Sequence, residues 1–117
     1  MQFAKQNARD DPSRHNEPMF QPCVYMMASG VHGTIYIGVT SNLPERDWQH
    51  HTSSKGFTAR HNVKRLVWFE RHDTMQLAIQ REKNMKRWLR AWKIELIEKT
   101  NPQWHRLHPE TGEFIVE

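Results

Sequence analysis

Tyr36-Ile37-Gly38-Val39-Thr40, followed by Ser41-Asn42-Leu43-Pro44 and a charged run holding Arg46 and His50, is the stretch whose reading decides the fold. β-Branched and aromatic residues in a short run predict a strand, and a glycine inside it marks a place that another group approaches closely. Ser41-Asn42 is a helix N-cap signal. Pro44 fits the first turn, where a missing N–H has no helical partner to lose. The helix is expected from about Leu43 to His51. Arg46 and His50 stand four apart on it and share one face. A strand tyrosine, an arginine and a histidine thus converge on one small volume.

Working outward, Cys23-Val24-Tyr25-Met26-Met27-Ala28 is an apolar run that reads as a buried strand. Ser29 to Gly33 is turn material, and Thr34 to Val39 is the second strand, so the two form an antiparallel hairpin. Thr52 to Asn62 reads as a polar loop, and Arg65 to Glu70 as a third strand. A second helix begins after Asp73 or Thr74 and carries Leu77, Ala78, Ile79, Met85 and Trp88. Leu89, Trp92, Ile94, Leu96 and Ile97 predict a third helix, continuous with the second or broken near Trp88. Met85, Trp88, Leu89 and Trp92 recur at helical spacing and are expected to form a buried face. Asn101-Pro102 ends the helical part. Trp104, Leu107 and a possible edge strand, Phe114-Ile115-Val116, follow. The fold class is α/β (α+β): a small antiparallel three-stranded sheet flanked by helices. Residues 1–21, polar and carrying Pro12 and Pro18, read as a disordered or loosely attached extension. The folded domain spans 22–108 and a tail spans 109–117.

The chain has 117 residues, a formal net charge of +4 and a pI near 9.5. That size suits one domain with a small core. The basic balance suits polyanions, chiefly nucleic acid. The lone Cys23 cannot form an internal disulfide, so a reducing cytoplasm is the expected location. No apolar run is long enough to span a bilayer, and the N-terminus has no apolar signal-peptide core. Membrane association is not expected. Eight histidines raise the question of zinc, but His50-His51 are adjacent and no paired ligand spacing occurs, so no zinc site is expected.

A phenol, a fixed cation and a proton carrier in one place suit the cleavage of a phosphodiester. The pattern also resembles the GIY-YIG nuclease family. Its second signature tripeptide is literal here as Tyr36-Ile37-Gly38, and the first is degenerate as Val24-Tyr25-Met26, with Tyr25 in the tyrosine position. Arg46 and His50 follow at the family's intervals. Arg81-Glu82-Lys83 with Met85-Lys86 resembles the segment carrying its metal-binding glutamate, and Asn101-Pro102-Gln103-Trp104 its closing asparagine motif. Five motifs in order carry more weight than any one. The likeness is nearest to small stand-alone bacterial members related to the nuclease domain of the excision-repair incision enzyme.

The resemblance implies a metal-dependent endonuclease acting on DNA, single-stranded, duplex or branched. Its catalytic set would be Tyr25, Tyr36, Arg46, His50, Glu82 and Asn101. Glu82 would hold Mg²⁺, with Mn²⁺ as an alternative, because magnesium binds through one or two carboxylates and keeps waters. Arg46 would clamp the phosphate. Tyr36 would take the proton of the attacking water, with His50 as relay. Taken singly these residues have plainer readings: Glu82 pairs with Lys86 at i+4, and Asn101 caps a helix.

Lys83, Lys86, Arg87, Arg90 and Lys93 form a basic stripe at helical spacing, and Lys55, Arg60 and His61 lie in the polar loop beside Phe57; these are the expected nucleic-acid contacts. His61 stands where many relatives carry a tyrosine. Asp47 departs from the family's apolar residue after the arginine. It either pairs with Arg46 and occupies the clamp, or points inward at a cost of several kcal/mol. A weakened site of that kind would leave a nucleic-acid-binding module of the same fold. With one site per chain, cutting a duplex needs a homodimer or a second encounter, and target choice falls to the domain's loops or a protein partner.

Overall fold

Six consecutive buried residues, Cys23–Ala28, form β1, and that unbroken burial places the strand at the centre of the sheet. β2 (Ile35–Thr40) and β3 (Arg65–Arg71) pair with it antiparallel on either side, in the order β2-β1-β3. The structure, a computed structural model, describes residues 21–116. All of the expected extension except Gln21 lies outside the described residues.

Alternation along β1 divides the core into two layers. Val24, Met26 and Ala28 face one way, with Val67, Trp68, Ala78, Met85, Ile97 and Trp104. Cys23, Tyr25 and Met27 face the other way, with Leu43, Val63, Leu66 and Leu107. The first layer is covered by α3 (Met75–Lys86) and α4 (Arg90–Thr100), the second by α1 (Leu43–Thr52). The sheet is therefore flanked by helices on both faces.

Local chemistry sets the helix starts. The Asn42 side chain accepts from the N–H of Glu45, and Pro44 occupies the first turn of α1. Thr74 Oγ1 accepts from the Leu77 N–H to open α3.

Two regions differ from the sequence reading, and in a third the structure takes the second of two expected alternatives, helices broken near Trp88. The expected loop over Thr52–Asn62 contains a short helix, α2 (Gly56–Arg60), whose Thr58 carbonyl accepts from the Val63 N–H at 2.7 Å. The helices α3 and α4 are separate, because Leu89 takes an extended conformation and restarts the chain. Arg90 then donates to the carbonyls of His32 and Gly33, both at 2.7 Å, and tethers α4 to the β1–β2 turn. The break divides the predicted apolar face: Met85 is buried, while Leu89 and Trp92 are 63% and 52% exposed. At the C-terminus, the expected edge strand is a tight turn-back closed by one antiparallel bridge, Leu107 to Phe114, and adds nothing to the sheet.

β3 carries a bulge. Its register against β1 slips between Met26–Trp68 and Met27–Leu66, which leaves Val67 as the extra residue. Val67 and Trp68 consequently enter the same core layer.

Candidate active site

On β2, Tyr36 faces the α1 layer, and its cross-strand partner on β1 is Met27. Tyr25 pairs with Gly38 and lays its ring across it. A Cβ at Gly38 would stand 2.5 Å from both Cζ and Oη of Tyr25. Space is what this position requires, and only glycine provides it. The glycine of the second motif thus serves the tyrosine of the first. Val24 and Met26 point into the opposite layer, where any apolar residue of fitting size will pack, so a degenerate first tripeptide can keep only its tyrosine.

The Tyr25 hydroxyl lies 3.0 Å from His50 Nε2, and His50 Nδ1 lies 3.2 Å from Thr58 Oγ1. Burial, reinforced by neighbouring Tyr36, pushes the Tyr25 phenol well above its ordinary range, with Arg46 opposing in part. Tyr25 is therefore a neutral donor. A consistent chain follows: Tyr25 O–H donates to Nε2, and Nδ1–H donates to Thr58. Burial also lowers His50, aided by the Arg46 cation and by neighbouring His51, so its imidazole is neutral at pH 7. The Tyr36 ring lies 5.4 Å from that of His50 and 6.2 Å from that of Tyr25.

Beside this cluster opens a cleft of about 320 Å³, lined by Tyr36, Arg46, Gln49, His50, Ser53, Lys55, Phe57 and Thr58 among others. Of the residues singled out from the sequence, Tyr36, Arg46, His50 and Lys55 line it directly, and Tyr25 supports it from the core. Arg60 and His61 lie at the exposed end of α2. Thr58 was not foreseen, since nothing in a polar loop singles out the threonine that will reach His50. A larger groove on α4, about 790 Å³ and bordered by Trp88, Trp92 and Leu96, contains none of these groups.

Asp47 points inward and is 5% exposed. It faces His51 at 3.5 Å and Arg106 at 3.8 Å, so the Arg46 clamp is not given over to it. Burial raises its carboxyl, while His51, Arg106 and His108 pull the other way. It lies between α1 and the C-terminal segment, and its buried Oδ1 accepts no hydrogen bond.

Glu82 and Asn101 are not among the residues that line the cleft. Glu82 is on α3, which packs on β2 and β1; its side chain is 13% exposed and meets Lys86 at 3.2 Å. Asn101 is fully committed to structure. Its Nδ2 donates to the Val67 carbonyl at the bulge (3.0 Å) and to the His105 carbonyl (2.8 Å), and Oδ1 accepts from the His105 N–H. Both amide hydrogens are used, which leaves none for a phosphate. In the basic stripe, Lys83, Lys86 and Arg87 are exposed, while Arg90 is engaged by the turn carbonyls.

A family model described as the GIY-YIG catalytic domain matches residues 21–95, and the chain belongs to that family. Its fold is of the nuclease type, and the family implies nucleic-acid binding and generally a divalent metal. Neither the curated proteins nor the solved structures provide a match. Among the described residues no helix is long and apolar enough to cross a membrane.

Among the described residues, no three His, Cys, Asp or Glu side chains gather as a ready-made metal cage. A lone, largely shielded carboxylate whose partner is a flexible, 53% exposed lysine fits a different kind of site. It suits a hard cation that keeps most of its waters and takes further oxygens from a substrate phosphate.

The depressed His50 gives a pH test. Its proton is held less tightly in the folded chain than in the unfolded one, whose value is near 6.5. Between the folded value and 6.5 the unfolded chain binds more protons. Stability from this group is therefore complete above 6.5 and is lost as pH falls through the folded value. Denaturant melts between pH 7.5 and 5 are expected to show that loss, and a His50→Gln chain to show a shallower slope. Equal slopes in the two chains would mean that His50 is not held neutral by the fold.

Proposed function

We propose that the cleft hydrolyses phosphodiester bonds of DNA with the help of a divalent cation, Mg²⁺ or Mn²⁺. The observation that supports this best is the convergence of Tyr36, Arg46 and the Tyr25–His50–Thr58 chain on one cleft within a GIY-YIG domain. Arg46 receives the phosphate, since a guanidinium keeps its charge at any working pH and offers a fork of donors. Tyr36, at the wall of the cleft, orients the attacking water; it takes the water's proton only as the phenolate, its own hydroxyl proton having left to solvent first.

His50 has both nitrogens occupied, so it acts as a positioning residue, and any relay from it runs through the Tyr25 or Thr58 hydroxyl. Glu82 would hold the cation, which when bound supplies charge neutralisation for the phosphoryl and leaving oxygens. Exposed Lys55 and Arg60 would take flanking phosphates. Asp47 faces His51 and Arg106 and leaves the Arg46 clamp free of it. Its inward, buried position, with the degenerate first motif, supports as the second reading a nucleic-acid-binding module of the same fold with weakened catalysis.

Labelled single-stranded, duplex, flap and branched DNA, incubated with the protein in Mg²⁺ or Mn²⁺, should be cut, and EDTA should stop the reaction. A folded protein that leaves every form intact in both metals would overturn the proposal.

A further inference from the structure

The proposed chemistry does not use the aromatic pair at the rim of the cleft. Phe57 is 43% exposed, although it is among the most apolar residues on α2. Its ring stacks on His61 with centroids 4.4 Å apart and planes at 37°. On the cleft side it stands 6.3 Å from Tyr36, tilted by 31°.

The backbone beneath it is fixed. Thr58, the next residue, is buried against His50, and its carbonyl accepts from the Val63 N–H. Phe57 is also not anchored in either core layer. Lys55, exposed on the same rim, supplies a cation beside the ring. An aromatic face half open to water, with His61 behind it and next to a cation and the Arg46 guanidinium, is the arrangement by which proteins stack a nucleobase.

We infer that Phe57, backed by His61, stacks the base adjoining the scissile phosphate, so that the site selects DNA in which that base is unpaired. This deepens, and rests on, the reading of the cleft as a DNA site. Inside a duplex both faces of a base are covered by its neighbours, and reaching Phe57 requires leaving the stack. An unpaired base in a single strand or at a junction meets a smaller barrier. Because every base has a π-face, the selection is for strand form and is tolerant of sequence.

The test uses the full chain and two readouts: affinity in EDTA, by anisotropy of labelled oligonucleotides, and cutting in Mg²⁺. An abasic nucleotide is walked along a single strand. In the unmodified protein, one abasic position beside the cut should lower affinity about tenfold, and the single strand should bind about tenfold more tightly than its hairpin duplex. Phe57→Leu keeps the bulk and removes the π-face. It should lose both effects, as should Phe57→Ala, while Phe57→Trp should keep them.

Retention of the abasic effect and the strand preference in Phe57→Leu would overturn the inference. Base-dependent binding without cutting would support the platform and count against the hydrolytic reading. Cutting indifferent to a missing base would do the reverse, and a protein that binds no DNA would defeat both.

Discussion

Replacing Glu82 by Gln is expected to lower the cutting rate by about 10³-fold or more while leaving thermal stability almost unchanged. The stability half follows from the surroundings of the side chain. Gln has the same shape, so the shielded position on α3 stays filled. What is lost is an i,i+4 pair to an exposed lysine, worth about 0.3–0.5 kcal/mol. The activity half follows from charge. An amide oxygen is a poor substitute for a carboxylate toward a hard cation, and a metal contributes several kcal/mol to the stabilisation of a charged transition state. At about 1.4 kcal/mol per factor of ten, a loss of ~4 kcal/mol is ~10³ in rate. The midpoint of a Mg²⁺ titration should also move to higher concentration, and DNA affinity in EDTA should not fall. A Gln chain that cuts at the unmodified rate would leave Glu82 only its pairing with Lys86.

The parts of this fold legible in the sequence are those set by strict local chemistry. The all-apolar run Cys23–Ala28 reads as a buried strand and is one, and the caps Asn42 and Thr74 mark helix starts to within a residue. What could not be read depended on partners remote in the chain. Nothing local decides between one continuous helix and the expected alternative of a break near Trp88, since neither glycine nor proline stands there; the restart is held by Arg90 on the β1–β2 turn, 57 and 58 residues away. The apolar spacing through Met85, Trp88, Leu89 and Trp92 misleads because it assumes one continuous axis.

Asn101 illustrates the same limit at the site. Its place in the chain suggests chemistry, yet its partner is the carbonyl of a bulge residue, Val67, and a bulge leaves no mark in the sequence. Asp47 could be flagged as a departure, but its direction depended on where Arg106 would arrive. Tyr36, Arg46 and His50 were legible together because one strand and the helix that follows it carry all three.

Gly38→Ala is expected to be the most damaging one-carbon change near the site. The added Cβ would meet Cζ and Oη of Tyr25 at 2.5 Å and Cε2 at 3.0 Å. The backbone at Gly38 is not in the left-handed region, so the penalty is steric and not conformational. Tyr25 cannot give way cheaply: it is fully buried and bonded to His50. Forcing the ring aside overpacks the layer and costs about 3 kcal/mol. The displaced phenol also stops holding His50. A shift of about 1 Å in a positioning group can cost ~10² in rate, so cutting per folded molecule should fall by about that much.

The cause can be isolated with a double-mutant cycle. In a Tyr25→Leu background the obstructing ring is gone, and Gly38→Ala should then cost a small fraction of what it does alone. Equal costs in the two backgrounds would mean that Tyr25 is not what the glycine accommodates. Unchanged melting of the single variant would show that the sheet yields at this point, and the geometric reason for a glycine in Tyr36-Ile37-Gly38 would fall with it.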